Sequence, residues 1–135
     1  DAAAAEAAMS HVKIVVRRMY SNPPGHGGRV VTHIMKDAAL RAQWERELAV
    51  MRNRINGVRS QFVKSLHARN VAMDFSFIEH QRGMFSFSGL SDHQVKFLKD
   101  SKAIYMVGGG RMNVAGMTPS NMDYVCDSIA EALKL

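Results

Sequence analysis

Apolar residues recur at Leu40, Trp44, Leu48, Met51, Ile55, Val58, Phe62 and Leu66, always three or four positions apart. That spacing keeps one face of an α-helix apolar from end to end. Asp37 stands in front of the run as the predicted N-cap. At 1.5 Å per residue, a helix over residues 37–66 spans roughly 45 Å, more than the width of a small domain. The expectation is a helix that joins two domains or packs along more structure than this chain supplies. Gly57 lies in its interior, costs about 1 kcal/mol relative to alanine, and marks the place for a bend.

Upstream, residues 2–18 are rich in good helix formers and then in valine and isoleucine. They predict a helix through about residue 11, with 12–17 as either its last turns or an exit strand. The segment YSNPPGHGG, residues 20–28, cannot continue a helix. Pro23 and Pro24 lack amide protons, and each pushes the residue before it towards extended geometry. A short helix over 28–35 is expected next, ending near Lys36.

Downstream, residues 84–87 (MFSF) read as a strand bracketed by Gly83 and Gly89. Ser91 or Asp92 caps a helix running to about residue 100, with Val95, Leu98 and Phe97 inward. Two apolar runs, 104–107 and 112–115, then flank three glycines and Arg111. Met112 and Val114 alternate with Asn113 and Ala115, a period of two that suits a strand, so the pair predicts a hairpin. Thr118 or Ser120 caps a final helix to residue 135, with Tyr124, Val125, Ile129, Ala130 and Leu133 on its apolar side. The order after Asp74 is therefore β-α-β-β-α, an α/β unit in which a small sheet is covered by helices.

Composition adds bounds. With 135 residues, 47% apolar and 22% charged, the chain reads as a soluble globular protein with a real core. Lys and Arg outnumber Asp and Glu by 18 to 12, a net charge of +6 that could attract nucleic acid, an acidic membrane or anionic small molecules. The charge is spread along the chain without a block of five or six, which favours a plain solvated surface. Cys126 is the single cysteine, so no internal disulfide forms, as in a reducing compartment. No apolar run approaches the ~20 residues of a membrane span. The first residues lack the basic start and hydrophobic centre of a secretory signal. The chain starts at Asp1, and DAAAAEAAM reads like the inside of a helix, so a piece of a longer chain is expected.

Most chemistry is unsupported. The six histidines form no pair at metal-ligand spacing. No serine sits in a nucleophile elbow, and Cys126 falls mid-helix, where an inert buried thiol is the default. Gly25, Gly27 and Gly28 look like part of a phosphate loop, but no strand precedes them and no Gly-Lys-Ser/Thr follows. The ten methionines read as core filler. Two arginine neighbourhoods remain: Arg17 and Arg18 ahead of residues 20–24, and Arg111 after its glycines. A guanidinium offers a planar fork that matches a carboxylate or phosphate with two parallel hydrogen bonds. The plain alternative is a glycine turn with an exposed arginine. Two such forks on shaped backbone could hold a small dicarboxylate at both ends, each hydrogen bond contributing about 1.5–3 kcal/mol.

Three segments carry a resemblance: Tyr20-Ser21-Asn22-Pro23-Pro24, then QRGMFSFSGL at 81–90, then GRMNVAGMT at 110–118. With the long helix, its Trp44 and its arginines at 52–59, they occur in the order and spacing of the last third of an aspartate aminotransferase. The chain thus resembles the aspartate/aromatic subgroup of the class I, pyridoxal-phosphate-dependent aminotransferases over nearly its whole length. The resemblance implies that residues 1–36 end a large cofactor-binding domain, that 37–70 form a connecting helix, and that 71–135 form a small C-terminal domain. It implies that Arg111 grips the substrate's α-carboxylate. Arg17 would receive the side-chain carboxylate of aspartate or glutamate across a homodimer interface. Phe85 would pack beside the substrate, and Ser21 and Asn22 would lie near the neighbour's cofactor phosphate.

One part of the family pattern is missing. In the family the lysine that forms a Schiff base with pyridoxal phosphate lies in a Ser-x-x-Lys segment with a phosphate-binding arginine shortly after. Of the seven lysines here only Lys13 has a serine, Ser10, three positions before it, and it stands just ahead of Arg17 and residues 20–24 rather than in that segment. That lysine, and the aspartate that pairs with the ring nitrogen, are expected N-terminal to Asp1. The implied activity of the full enzyme is amino-group exchange between aspartate and 2-oxoglutarate, in the cytoplasm or a mitochondrion and not secreted. Its partners would be aspartate, glutamate, their 2-oxo acids and a second subunit, with no nucleic acid, membrane or metal. Residues 1–135 alone are expected to recognise carboxylates without transaminating. The alternatives are an aromatic-amino-acid aminotransferase of the same family, a basic nucleic-acid-binding module, or a non-catalytic interaction module.

Overall fold

A computed structural model describes residues 1–22 and 24–135, which fall into two units, Asp1–Arg46 and Glu47–Leu135. The first unit opens with helix α1, Ala2–Met19. The Asp1 carboxylate accepts from the Ala4 amide at 2.8 Å and caps it. The helix does not stop near residue 11; residues 12–17 are its last turns, with Arg17 and Arg18 set against the negative end of the helix dipole. Helix α2, Gly25–Lys36, begins three residues earlier than expected, directly after Pro24. The segment read as rigid from its two prolines includes Pro23, which lies outside the described residues. Neither α1 nor α2 contains a buried residue.

Asp37 caps helix α3, Ala38–His67, accepting from the amides of Ala39 (2.9 Å) and Leu40 (3.0 Å). The helix runs unbroken through Gly57. Its apolar face is covered only along the second half. Phe62 and Leu66 are fully buried, whereas Leu40, Trp44, Leu48 and Met51 remain 37–56% exposed. The core of the second unit takes in Phe62 and Leu66, with Ile55, Val58 and Val63 packed against it.

The second unit continues with a short helix α4, Phe77–His80, strand β1, Phe85–Phe87, helix α5, Asp92–Lys102, strand β2, Arg111–Asn113, and helix α6, Met122–Ala132. Ser91 and Gln94 form a reciprocal capping box at the start of α5. β1 and β2 pair antiparallel, with Phe85 opposite Asn113 and Phe87 opposite Arg111. Ser86 and Met112 face inward, while the four flanking residues face out. The core joins Phe62 and Leu66 of α3 to Phe75, Ile78, Leu90, Leu98, Val114 and Ile129. A small two-stranded sheet is thus covered by helices.

Two sequence expectations require correction. Residues 104–107 form no strand with 112–115. They run extended, with Ile104 and Met106 turned inward, and join β2 at one bridge, the Val107 amide donating to the Arg111 carbonyl at 3.2 Å. The regular partner of β2 is β1, so a three-glycine link of 3₁₀ form, Gly108–Gly110, leaves the nearer run a single pairing position. The last helix is also not capped by Thr118 or Ser120. Their hydroxyls pair with each other at 2.9 Å, and Asn121 Oδ1 is engaged by the Thr118 amide. Tyr124, expected inside, is 54% exposed, its hydroxyl donating to the Lys102 carbonyl at 2.7 Å. Met122, Cys126 and Ala132 join Ile129 in the core instead. No helix among the described residues is long and apolar enough to cross a membrane.

Candidate carboxylate-recognition site

The outward face of the β1–β2 ribbon carries Phe85, Phe87, Arg111 and Asn113. The Arg111 guanidinium lies over the Phe85 ring, 5.0 Å from its centroid. Such a cation–π contact is worth about 0.5–1 kcal/mol at an exposed site. It also leaves the edge of the fork, where the N–H groups are, free to meet an anion. The structure therefore brings together two of the residues singled out in the sequence.

The backbone behind Arg111 is held tightly. Gly110 is buried with a φ of +73°, a conformation that glycine adopts without strain. Its carbonyl accepts twice from Ser88, from the amide at 2.9 Å and from the hydroxyl at 2.7 Å. Gly109 donates to the Asp92 carboxylate at 3.3 Å. On the far side of β2, Arg54 of α3 donates to the carbonyls of Ala115 (3.1 Å) and Met117 (3.2 Å). Gly110 thus serves close backbone packing that fixes the strand on which the arginine stands, whereas a Cβ at Gly108 or Gly109 would meet nothing within 4 Å.

β1 is held along its outer edge by side chains. Arg59, 1% exposed, donates to the carbonyls of Ile78 (3.3 Å), Gly83 and Phe85 (3.4 Å) and to the Ser86 hydroxyl. Gln81 both donates to the Phe87 carbonyl and accepts from the Phe87 amide, each at 3.1 Å. Sequence reasoning missed Arg54, Arg59, Gln81 and Ser88 as parts of the site. All four fall in segments that carry the family resemblance, but only Arg59 has a further signal in the hydrophobic pattern. It lies one position from Val58 and three from Phe62, on the flank of the apolar stripe, where a cation must find partners or pull away. Burial, and then the charge of Arg82, lower its pKa from the ordinary guanidinium value.

The remaining sequence candidates lie in the first unit. Arg17 is exposed in the last turn of α1, beside Lys13, Ile14 and Arg18. Ser21 is exposed with a φ of +57°, and the Asn22 amide donates to the Tyr20 carbonyl at 2.6 Å. Among the described residues no three His, Cys, Asp or Glu side chains gather as a metal set. Covalent attachment of pyridoxal phosphate needs a lysine amine shielded from water. Lys13, Lys36, Lys64, Lys96, Lys99 and Lys134 are exposed, and the half-buried Lys102 pairs with Glu131. Among the described residues, none of these lysines is both shielded and unpaired.

Comparison with known proteins identifies the family. The model of the class I and II aminotransferases matches residues 2–129. The aspartate aminotransferase of Haemophilus influenzae is 48% identical over 133 residues, 98% of this chain and 34% of that protein. The aromatic-amino-acid aminotransferase of Escherichia coli is 39% identical over 133 residues, again 98% and 34%. Among solved structures, an aromatic-amino-acid aminotransferase from Burkholderia pseudomallei, covalently bound to pyridoxal phosphate, superposes with a TM-score of 0.84 at 45% identity. That match covers 96% of this chain and 32% of the other. The chain spans about a third of the length of the relatives it matches. With a family model covering nearly all of its residues, the chain belongs to the class I and II aminotransferases.

Proposed function

We propose that this chain is the carboxylate-recognising, C-terminal part of an aspartate aminotransferase, exchanging an amino group between aspartate and 2-oxoglutarate. Residues 1–36 end the cofactor-binding domain, 37–70 connect, and 71–135 form the small domain. The observation that carries the reading is Arg111, its fork supported on Phe85 and its backbone held by the doubly bonded Gly110 carbonyl. A rigid, exposed guanidinium binds a carboxylate at low entropic cost. Arg111 then takes the α-carboxylate common to every amino acid, and Arg17 takes the side-chain carboxylate from the neighbouring subunit of a homodimer. Phe85 flanks the substrate, and Ser21 and Asn22 approach the cofactor phosphate of that neighbour.

When bound, pyridoxal phosphate supplies the electron sink that lets an amino acid lose its α-proton. The residues that attach it belong to the remainder of the full-length enzyme, consistent with the unsuitable lysines here. The test is substrate kinetics of that enzyme. Arg111→Ala should weaken binding of all amino acids alike, by roughly 10- to 150-fold for the loss of about 1.5–3 kcal/mol. Arg17→Ala should weaken acidic substrates far more than aromatic ones. Equal damage to both classes by Arg17→Ala removes the side-chain assignment. A second reading, an aromatic-amino-acid aminotransferase, is favoured by the relatives of that name; comparable kcat/KM for phenylalanine and aspartate in the intact enzyme would select it. The 135 residues alone, supplied with pyridoxal phosphate and aspartate, should show no turnover.

A further inference from the structure

The outer edge of β1 has no neighbouring strand among the described residues, yet three of its backbone groups, the carbonyls of Phe85 and Phe87 and the Phe87 amide, have side-chain partners. In the β1–β2 pairing, the Ser88 amide donates to the Gly110 carbonyl and the Val114 amide to the Met84 carbonyl at the two ends, which turns the polar groups of Phe85 and Phe87 away from β2. The Phe85 carbonyl accepts from Arg59, and the Phe87 amide and carbonyl both engage Gln81. The two side chains stand in for a third strand.

Arg59 is an unusual occupant of that place. It is almost wholly buried, its acceptors among the described residues are all neutral oxygens, and its Nε–H finds no acceptor there. An apolar residue of similar length would fill the volume without desolvating a charge. What an apolar residue cannot do is tie α4, the turn at Gly83 and two residues of β1 to a single rigid plane. Phe85 follows that turn directly, and its ring is the platform under Arg111.

We propose that Arg59 is a positioning residue for substrate recognition: by fixing the outer edge of β1 it holds the Phe85 ring where the Arg111 fork rests. The inference deepens the proposed carboxylate-binding role of Arg111 and rests on it for its effect on substrate. Its structural half can be tested separately in the 135-residue chain.

The probe is the ring-current shift that Phe85 imposes on the Arg111 Cδ protons, measured by NMR and calibrated with Phe85→Leu. Arg59→Met should remove more than half of that shift. Ile129→Val, a core substitution in α6, should leave it unchanged, separating positioning from general loosening. If Arg59→Met does not fold, Arg59→Lys decides: one ammonium reaches fewer of the four oxygens and should give an intermediate shift. An unchanged shift in the folded Arg59 variant overturns the proposal. In the full-length enzyme Arg59→Lys should raise KM for all amino-acid substrates by about 3- to 10-fold and change kcat less than twofold. A change confined to kcat overturns it. If Arg111→Ala leaves KM untouched while the NMR shift responds to Arg59, the carboxylate assignment fails and the positioning geometry survives.

Discussion

Gly110→Ala would test whether the backbone behind the arginine is built as described. Two costs add. Alanine at a φ of +73° pays about 1 kcal/mol or more for left-handed geometry. A Cβ there would meet the Ser88 hydroxyl at 2.6 Å and the Leu90 carbonyl and amide at 3.2 and 3.3 Å. Ser88 is fully buried, and its Oγ both donates to the Gly110 carbonyl and accepts from the Leu90 amide. Displacing it sacrifices buried hydrogen bonds worth about 1–3 kcal/mol. The total is roughly 2–4 kcal/mol, a fall in Tm of at least about 8 °C for a domain of this size. Urea unfolding followed by far-ultraviolet circular dichroism reads the loss directly. Ser88→Ala sharpens the test, because it removes the clashing atom. Alone it should cost about 1 kcal/mol; combined with Gly110→Ala it should cost less than the sum by about 1 kcal/mol or more. A loss below about 0.5 kcal/mol for Gly110→Ala, or strict additivity in the pair, would refute the packing argument.

Other perturbations test other parts of the fold. Gly57→Ala puts a better helix former at an exposed position with nothing within 4 Å of the new Cβ, and should stabilise by up to about 1 kcal/mol in urea unfolding. Ala103→Gly should also stabilise, by about 0.5–1 kcal/mol, because Ala103 ends α5 in the left-handed region at φ +50°. Arg69 binds Asp127 at 2.7 Å and Asp123 at 3.1 Å and holds the Asp127 carboxyl below its usual 3.8. That contribution is present above about pH 4 and disappears as acid protonates the folded carboxylate, so Arg69→Met should flatten acid unfolding curves. Burial pushes the Cys126 thiol from 9.0 up to about 11, so stability should decline between those values as the unfolded thiol ionises first. Cys126→Ser should abolish that alkaline decline, and a thiol reagent at pH 8 should react with native protein only as fast as it unfolds.

Much of this fold was legible because it is local. The 3-and-4 spacing located α3, the cap expected at Ser91 or Asp92 located α5, and Asp37 capped where expected. What stayed hidden depended on distant choices. Residues 104–107 have the apolar texture of a strand, but β2 had already paired with β1, some 25 positions away in sequence. Thr118 and Ser120 are sound caps by type, yet each hydroxyl found the other first. In the site, Arg111 was visible from its glycines and Phe85 from a family resemblance. The braces were not, since nothing about Arg54, Arg59 or Gln81 in one dimension says which carbonyls they will reach. A buried cation on an amphipathic helix differs by a single turn from an exposed one.

Trp44, the chain's only tryptophan, sits on the half of α3 whose apolar stripe is uncovered, with 41% of its surface exposed. An indole in that condition fluoresces with a red-shifted, quencher-sensitive spectrum, and it shifts blue when something apolar settles over it. The indole is thus a built-in label on the exposed part of the stripe. The docking of any apolar surface on that face can therefore be followed optically, without a dye, by the colour of one residue.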